Sequence, residues 1–143
     1  MQNNEGWLTN LSPGVVSQSK ITLANHLQYK RKVKAVIQNK IFTFITDNNV
    51  FSKSGLDFGT RTLLESIDVE KIKGKVLDFG CGYGPIGIFL ATHNLDVDMI
   101  DVNKRAVHLT KRNIKKYKDF NGSAFLSDAY SDVKDKYDVI ITN

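Results

Sequence analysis

Cysteine is almost absent from this chain of 143 residues: Cys81 stands alone, so no disulfide can form within it. A core without a covalent cross-link suits a reducing compartment and implies a cytoplasmic protein. Proline is nearly as rare, with Pro13 and Pro85 the only two. Elements after residue 13 are therefore punctuated by glycine, asparagine and aspartate. No apolar run reaches the length needed to cross a bilayer, and the first residues lack the basic start and apolar core of a secretory leader. The three histidines, His26, His93 and His108, are scattered without the spacing of metal ligands, so no metal site is expected. Acidic residues fall short of basic ones, giving a formal charge of +5. Such a balance is compatible with a nucleic-acid partner without requiring one.

Glycine, by contrast, is concentrated. The stretch Lys75–Gly87 reads KVLDFGCGYGPIG, with Gly80, Gly82 and Gly84 at alternate positions after a short apolar run that ends in Asp78. The pattern is that of a buried strand, a glycine turn, and a helix with Pro85 in its first turn, where a missing N–H costs least. Bare backbone at alternate positions lets a bulky ligand lie against the turn, facing a helix N-terminus. Gly82-x-Gly84-x-x-Gly87 formally satisfies a dinucleotide fingerprint, but the register is early, because an acid precedes the glycines. A pyrophosphate repels a carboxylate at that place and an ammonium group attracts one. A cofactor with an amino acid and a ribose but no phosphate, such as S-adenosylmethionine, suits Asp78 better.

Residues 1–28 are rich in Asn, Gln, Ser and Thr without sustained periodicity, and are expected to form a flexible arm ahead of a single domain over 29–143. That domain opens with a hairpin. Lys32–Gln38 alternates, Gln38-Asn39-Lys40 turns, and Ile41–Thr46 is β-branched and aromatic. Lys30, Arg31, Lys32 and Lys34 cluster on its first strand, either as protection of a solvated edge or as contacts to RNA. Asp47-Asn48-Asn49 makes a further turn into Val50-Phe51-Ser52. A helix carrying Leu63, Leu64 and Ile67 follows, capped by Thr60 or by Asp57. After the glycine turn a helix is expected from Pro85 to His93-Asn94, then a second strand, Asp96–Ile100, closing on Asp101. Asp101 either accepts two ribose hydroxyls or caps the next helix, a cap that Asn103 could supply instead. Asn103–Lys118 reads as an amphipathic helix with Ala106, Val107, Thr110, Ile114 and Tyr117 inward. Its cations, Arg105 included, are assigned to a solvated face remote from the cleft. A third strand, Ala124–Leu126, leads to Asp128, which either reaches an adenine amino group or caps a loop. Tyr137–Thr142 reads as the fourth strand.

Several segments in this order resemble the class I S-adenosylmethionine-dependent methyltransferases, and more narrowly the methyltransferase small domain family. They are Val50-Phe51-Ser52, Gly55-Leu56-Asp57-Phe58-Gly59-Thr60, the Asp78–Gly84 loop, Asp101-Val102-Asn103, Ser127-Asp128 and Tyr137–Asn143. That family includes the guanine-N2 methyltransferases of small-subunit ribosomal RNA. The resemblance implies a doubly wound, Rossmann-like α/β sheet with an N-terminal β-hairpin extension. In the family the fourth strand continues as Asn-Pro-Pro; Asn143 matches the asparagine and the prolines are absent. It follows that the C-terminal strands are missing and that Asn143 would be an unheld end. The remaining chain is expected to be inactive alone and prone to self-association through an open sheet edge. By the same resemblance Asp78, Gly80, Gly82 and Gly84 would hold the methionine part of the cofactor, Asp101 its ribose and Asp128 its adenine. Asn143 would accept hydrogen bonds from the amine that is methylated. The implied activity is N-methylation of a guanine in ribosomal RNA. Methylation of DNA adenine or protein glutamine, or a non-catalytic cofactor-binding fragment, are the alternatives.

Overall fold

A computed structural model of the chain describes residues 31–47 and 55–143. The expected N-terminal arm, Lys30 and the Val50-Phe51-Ser52 segment lie outside the described residues. The hairpin is present as β1 (Arg31–Ile37) and β2 (Lys40–Thr46). Gln38 and Asn39 join the strands, both at positive φ (47° and 67°), the backbone that matches a two-residue turn to strand twist. Alternation buries Val33, Ala35, Ile37, Phe42 and Phe44 on one face and leaves Lys32, Lys34 and Val36 outside.

Helix α1 (Phe58–Ser66) is capped by Asp57, whose carboxylate accepts the Thr60 N–H, so of the two candidate caps the earlier is used. Its far end is closed by Gln38 of the hairpin turn, which donates from Nε2 to the carbonyls of Leu64 (2.8 Å) and Ile67 (2.9 Å). A short 3₁₀ turn, Val69–Lys71, leads into the parallel sheet. There β3 (Lys75–Phe79), α2 (Pro85–Ala91), β4 (Asp96–Asp101), α3 (Lys104–Ile114), β5 (Gly122–Leu126) and β6 (Val139–Thr142) follow in turn. The strand order is β5-β4-β3-β6, with every neighbouring pair parallel. The order reverses at β3, so the ends of β3 and β4 flank the crevice where open α/β sheets take ligands.

Both α2 and α3 end earlier than their periodicity suggests. The N–H groups of His93 and Asn94 reach back three residues, to Leu90 and Ala91, and those of Lys116 and Tyr117 to Asn113 and Ile114. These tighter turns satisfy the final carbonyls without extending the α-helix. All seven residues of α2 are buried. One side of α2 lies on the sheet, where Gly87 approaches Met99, and the other meets the hairpin, where the Phe89 ring stands 5.6 Å from that of Phe42. A Cβ at Gly87 would run into Met99, so glycine sets this close approach of α2 to β4. The opposite face of the sheet carries Asp98, whose carboxylate accepts from Ser123 Oγ (2.9 Å) and Tyr137 Oη (2.7 Å). Those bonds fasten the segment before β6 across the strands. None of the helices among the described residues is long and apolar enough to cross a membrane.

Candidate functional site

The glycine turn follows directly from how β3 ends. The N–H groups of Gly80 and Cys81 both donate to the Ile100 carbonyl of β4 (2.9 and 2.8 Å), which bends the chain away from the sheet. Gly84, at φ 102°, is the N-cap of α2, and Pro85 occupies the first turn. Beyond this turn opens a cleft of about 440 Å³, within the range of small-molecule sites. Its walls come from Asp57 and Thr60 of the α1 cap, Gly80, Cys81 and Gly82 of the loop, Ile86 of α2, and Asp101, Asn103 and Asn143. A Cβ added at Gly80 or Gly82 would meet nothing within 4 Å, so these glycines leave backbone bare toward open space. Gly84 differs: its Cβ would press on Ile88 and Thr110. It is a packing glycine.

The acids have separate parts. Asp101 lines the cleft, with Oδ2 accepting the Gly82 N–H (2.9 Å) and Oδ1 the Asn103 N–H (2.9 Å). Each oxygen keeps lone-pair capacity on its open side. Asn103, not Asp101, caps α3 through its side chain. Asp78 stands at the end of β3, at the entrance to the loop as expected, but its side chain is buried and is not among the residues that line the cleft. Its Oδ2 accepts the Gly87 N–H of α2 (2.9 Å), while Oδ1 is buried without a hydrogen-bond partner. Burial pushes its pKa up to about 7; the Gly87 N–H opposes that shift and the charge of Asp101 adds to it. Asp128 is exposed in the turn after β5 and is absent from the cleft lining. Asn143 is at the mouth, and its side chain is held: Nδ2 donates to Thr60 Oγ1 (2.8 Å) and Asp57 Oδ2 (3.2 Å). The expectation of an unheld amide there is corrected, because the α1 cap supplies two acceptors. Cys81 also faces the cleft, but burial, and secondarily the Asp78 charge, raise its thiol well above the usual range, so it offers no nucleophile.

Three supporting residues escape a reading of pattern alone. Thr110 donates to the Gly82 carbonyl (2.8 Å) and fixes the loop from α3. Asn113, fully buried, donates to the carbonyls of Ile45 (2.9 Å) and Tyr83 (2.8 Å) and accepts the Ile45 N–H (2.7 Å). Arg105, expected on a solvated face, instead donates from Nε to the buried Asp47 at 2.6 Å. The available signal was a polar residue, Asn113, falling between Thr110 and Tyr117 on the apolar side of the helix. At the far end of α3, Lys116 is crowded by the positive charges of Lys32 and Arg112, and its pKa is lowered by desolvation first and by these two next. Lys32 of the hairpin and the basic end of α3 are thus within electrostatic reach of each other.

A parallel sheet with helices packed on it, a glycine turn at the end of β3 and an acid at the end of β4 define a Rossmann-like cofactor-binding domain. The chain belongs to the methyltransferase small domain family, whose model matches residues 41–143. It is 46% identical over 99 residues to the protein YbxB of Bacillus subtilis (strain 168), covering 68% of this chain and 49% of that one. It is 42% identical over 96 residues to ribosomal RNA small subunit methyltransferase C of Haemophilus influenzae (strain ATCC 51907), covering 66% of this chain and 28% of the relative. Among solved structures it is similar to the Thermus thermophilus 16S rRNA N2 G1207 methyltransferase in complex with AdoMet and guanosine. The TM-score is 0.72 at 25% identity, over 80% of this chain and 33% of that one. The chain therefore spans at most about half the length of these relatives.

Proposed function

We propose that this chain carries the cofactor-binding half of an S-adenosylmethionine-dependent N-methyltransferase acting on the exocyclic N2 amine of a guanine in small-subunit ribosomal RNA. One observation carries the reading: a single cleft has a bare-backbone floor, an acid on one wall and an amide at its mouth. The floor is Gly80 and Gly82, the acid is Asp101 and the amide is Asn143. S-adenosylmethionine supplies a methyl group on a sulfonium. The residues of this chain supply the rest. Gly80 and Gly82 admit a flat ligand against backbone. Asp101 offers the outward lone pairs of a carboxylate already fixed by two N–H donors, which suits a pair of ribose hydroxyls. Asp78 and Gly84 serve the same cofactor from beneath, by fixing the loop and the start of α2. Asp128 stands outside this cleft, and its assignment to adenine draws on the family pattern alone. Asn143 holds the amine in line through its carbonyl oxygen, and alignment is the main thing a protein contributes to such a transfer. The names of the ribosomal RNA methyltransferase relatives and the guanosine in the similar solved structure support an RNA guanine as the target.

The test uses a version of the protein extended to the length of its relatives, with radiolabelled S-adenosylmethionine and ribosomal RNA, small-subunit particles, duplex DNA or protein acceptors. Label is expected in the RNA, on guanine N2 after nucleoside digestion. Label confined to DNA or protein overturns the RNA assignment. Calorimetry on the same protein should show binding of S-adenosylmethionine or its demethylated product and none of a nicotinamide dinucleotide. Asp101→Asn should weaken that binding by about 1.5–3 kcal/mol, the worth of a hydrogen bond to a charged group; unchanged affinity removes Asp101 from the ribose site.

A further inference from the structure

The amide of Asn143 can sit in only one orientation. Its Nδ2 lies 3.2 Å from Asp57 Oδ2, and an ionised carboxylate has no hydrogen to give. Turning the amide over would set its carbonyl oxygen against that carboxylate, acceptor to acceptor. The Thr60 hydroxyl completes the arrangement. Its hydrogen is directed to the same Asp57 oxygen at 3.5 Å, which leaves its lone pairs for Nδ2 at 2.8 Å. Gly59 supplies the room: a Cβ there would lie 3.0 Å from Asn143 Oδ1 and 3.4 Å from Nδ2, so the amide rests across bare backbone. Donor capacity is thus spent on the start of α1, and Oδ1 remains as an acceptor on an exposed side chain at the cleft mouth.

We infer that Asp57, Gly59 and Thr60 are positioning residues that lock Asn143 as a one-way acceptor, so that the site takes a target nitrogen bearing hydrogens and rejects a bare ring nitrogen or a carbonyl oxygen. This rests on the proposed N-methyltransferase reading and adds its selectivity: an acceptor cannot hydrogen-bond an atom that has only lone pairs. It also gives the α1 cap a second task, since the Asp57 oxygen that starts the helix also orients the amide.

Two readouts separate the lock from the activity. In nitrogen-resolved NMR spectra of the protein, the Asn143 side-chain signals are those lost in Asn143→Ala. Their solvent exchange should be about tenfold slower than that of Asn121, an exposed asparagine whose side chain makes no hydrogen bond among the described residues. Thr60→Val should abolish that protection and Thr60→Ser should keep it. In turnover assays Thr60→Val and Gly59→Ala should lower kcat by about 100-fold, the cost of misplacing an aligned group, with KM for RNA and cofactor affinity nearly unchanged. Thr60→Ser should remain near wild type. Exchange as fast as Asn121 in the wild type overturns the lock, as do an unchanged kcat in Thr60→Val or an equal fall in Thr60→Ser. Protection that is lost only in Thr60→Val, in a protein that methylates no amine, keeps the lock and overturns the activity reading.

Discussion

Asp78 shows how one side chain can hold a loop at a cost that depends on pH. Its carboxyl is buried at 1% exposure, receives a single N–H from Gly87, and keeps one oxygen with nothing to accept. The unfolded chain ionises this group near the ordinary value of about 3.9, and the folded one holds its proton to about 7. Between those values the native state binds a proton the unfolded state has already lost, so stability falls as pH rises through that window and levels above it. Thermal or denaturant unfolding measured from pH 4 to 8 should reveal the slope, worth on the order of a few kcal/mol across the window. Asp78→Asn, which still offers an oxygen to the Gly87 N–H, should flatten it. An identical slope in the variant would place the titration elsewhere. Among the described residues, the titratable groups that act on Asp78 are Asp101 and the Cys81 thiol, and neither supplies a compensating positive charge. That Asp78 belongs to the glycine loop was legible in the sequence from its spacing to Gly80. The direction of its carboxylate was not, because it depends on Gly87 of α2 folding back over the strand end.

At the scale of elements, packing is set by few polar clamps, and Asn113 of α3 is the most consequential. It pairs with both backbone groups of Ile45 on β2 and with the Tyr83 carbonyl of the glycine loop. Hairpin, helix and loop therefore share one buried amide, and the Arg105–Asp47 pair fastens the same hairpin end nearer the cleft. Asn113→Ala should strand three backbone groups and cost on the order of 3 kcal/mol in denaturant unfolding. Hydrogen exchange at the Ile45 N–H should rise well beyond that of β3. Unaltered protection at Ile45 would mean that the hairpin is held by Phe42 and Phe44 alone. Each hairpin strand, each helix and the glycine turn could be read from period and turn residues to within a few positions, since those signals are local. The clamp could not: its partner Ile45 lies 68 residues away, and polarity on an apolar helix face shows only that some partner is needed. The site divides in the same way. Gly80, Gly82 and Asp101 follow from one short stretch, whereas the bonds from Asp57 and Thr60 to Asn143 join segments more than eighty residues apart.

For the whole molecule, the arrangement of charge bears on how a large anionic substrate would reach a small cleft. The N-terminal end of α3 contributes Asn103 and Ala106 to the cleft wall. Its C-terminal end, about ten residues and roughly 15 Å further along at 1.5 Å per residue, brings Arg112 and Lys116 to Lys32 of β1. Among the described residues Lys32, Arg112 and Lys116 form no ion pair, and the pKa of Lys116 is lowered first by burial and then by the charges of Lys32 and Arg112. Like charges brought together in this way are poorly explained as edge protection, which needs a lysine only on the strand. If the substrate is the RNA proposed above, such a cluster would suit its phosphates, because phosphate contacts position a nucleic acid without reading its sequence. The replacement Lys32→Gln, Arg112→Gln, Lys116→Gln should therefore weaken RNA binding at low salt. It should also reduce the slope of log affinity against log salt by about two, near 0.7 for each lost contact to a single strand. Cofactor affinity should be unaffected, since none of the three lines the cleft. An unchanged slope would return the cluster to an ordinary solvated surface. A loss of cofactor binding would show instead that the substitutions had disturbed α3 and its Asn113 clamp.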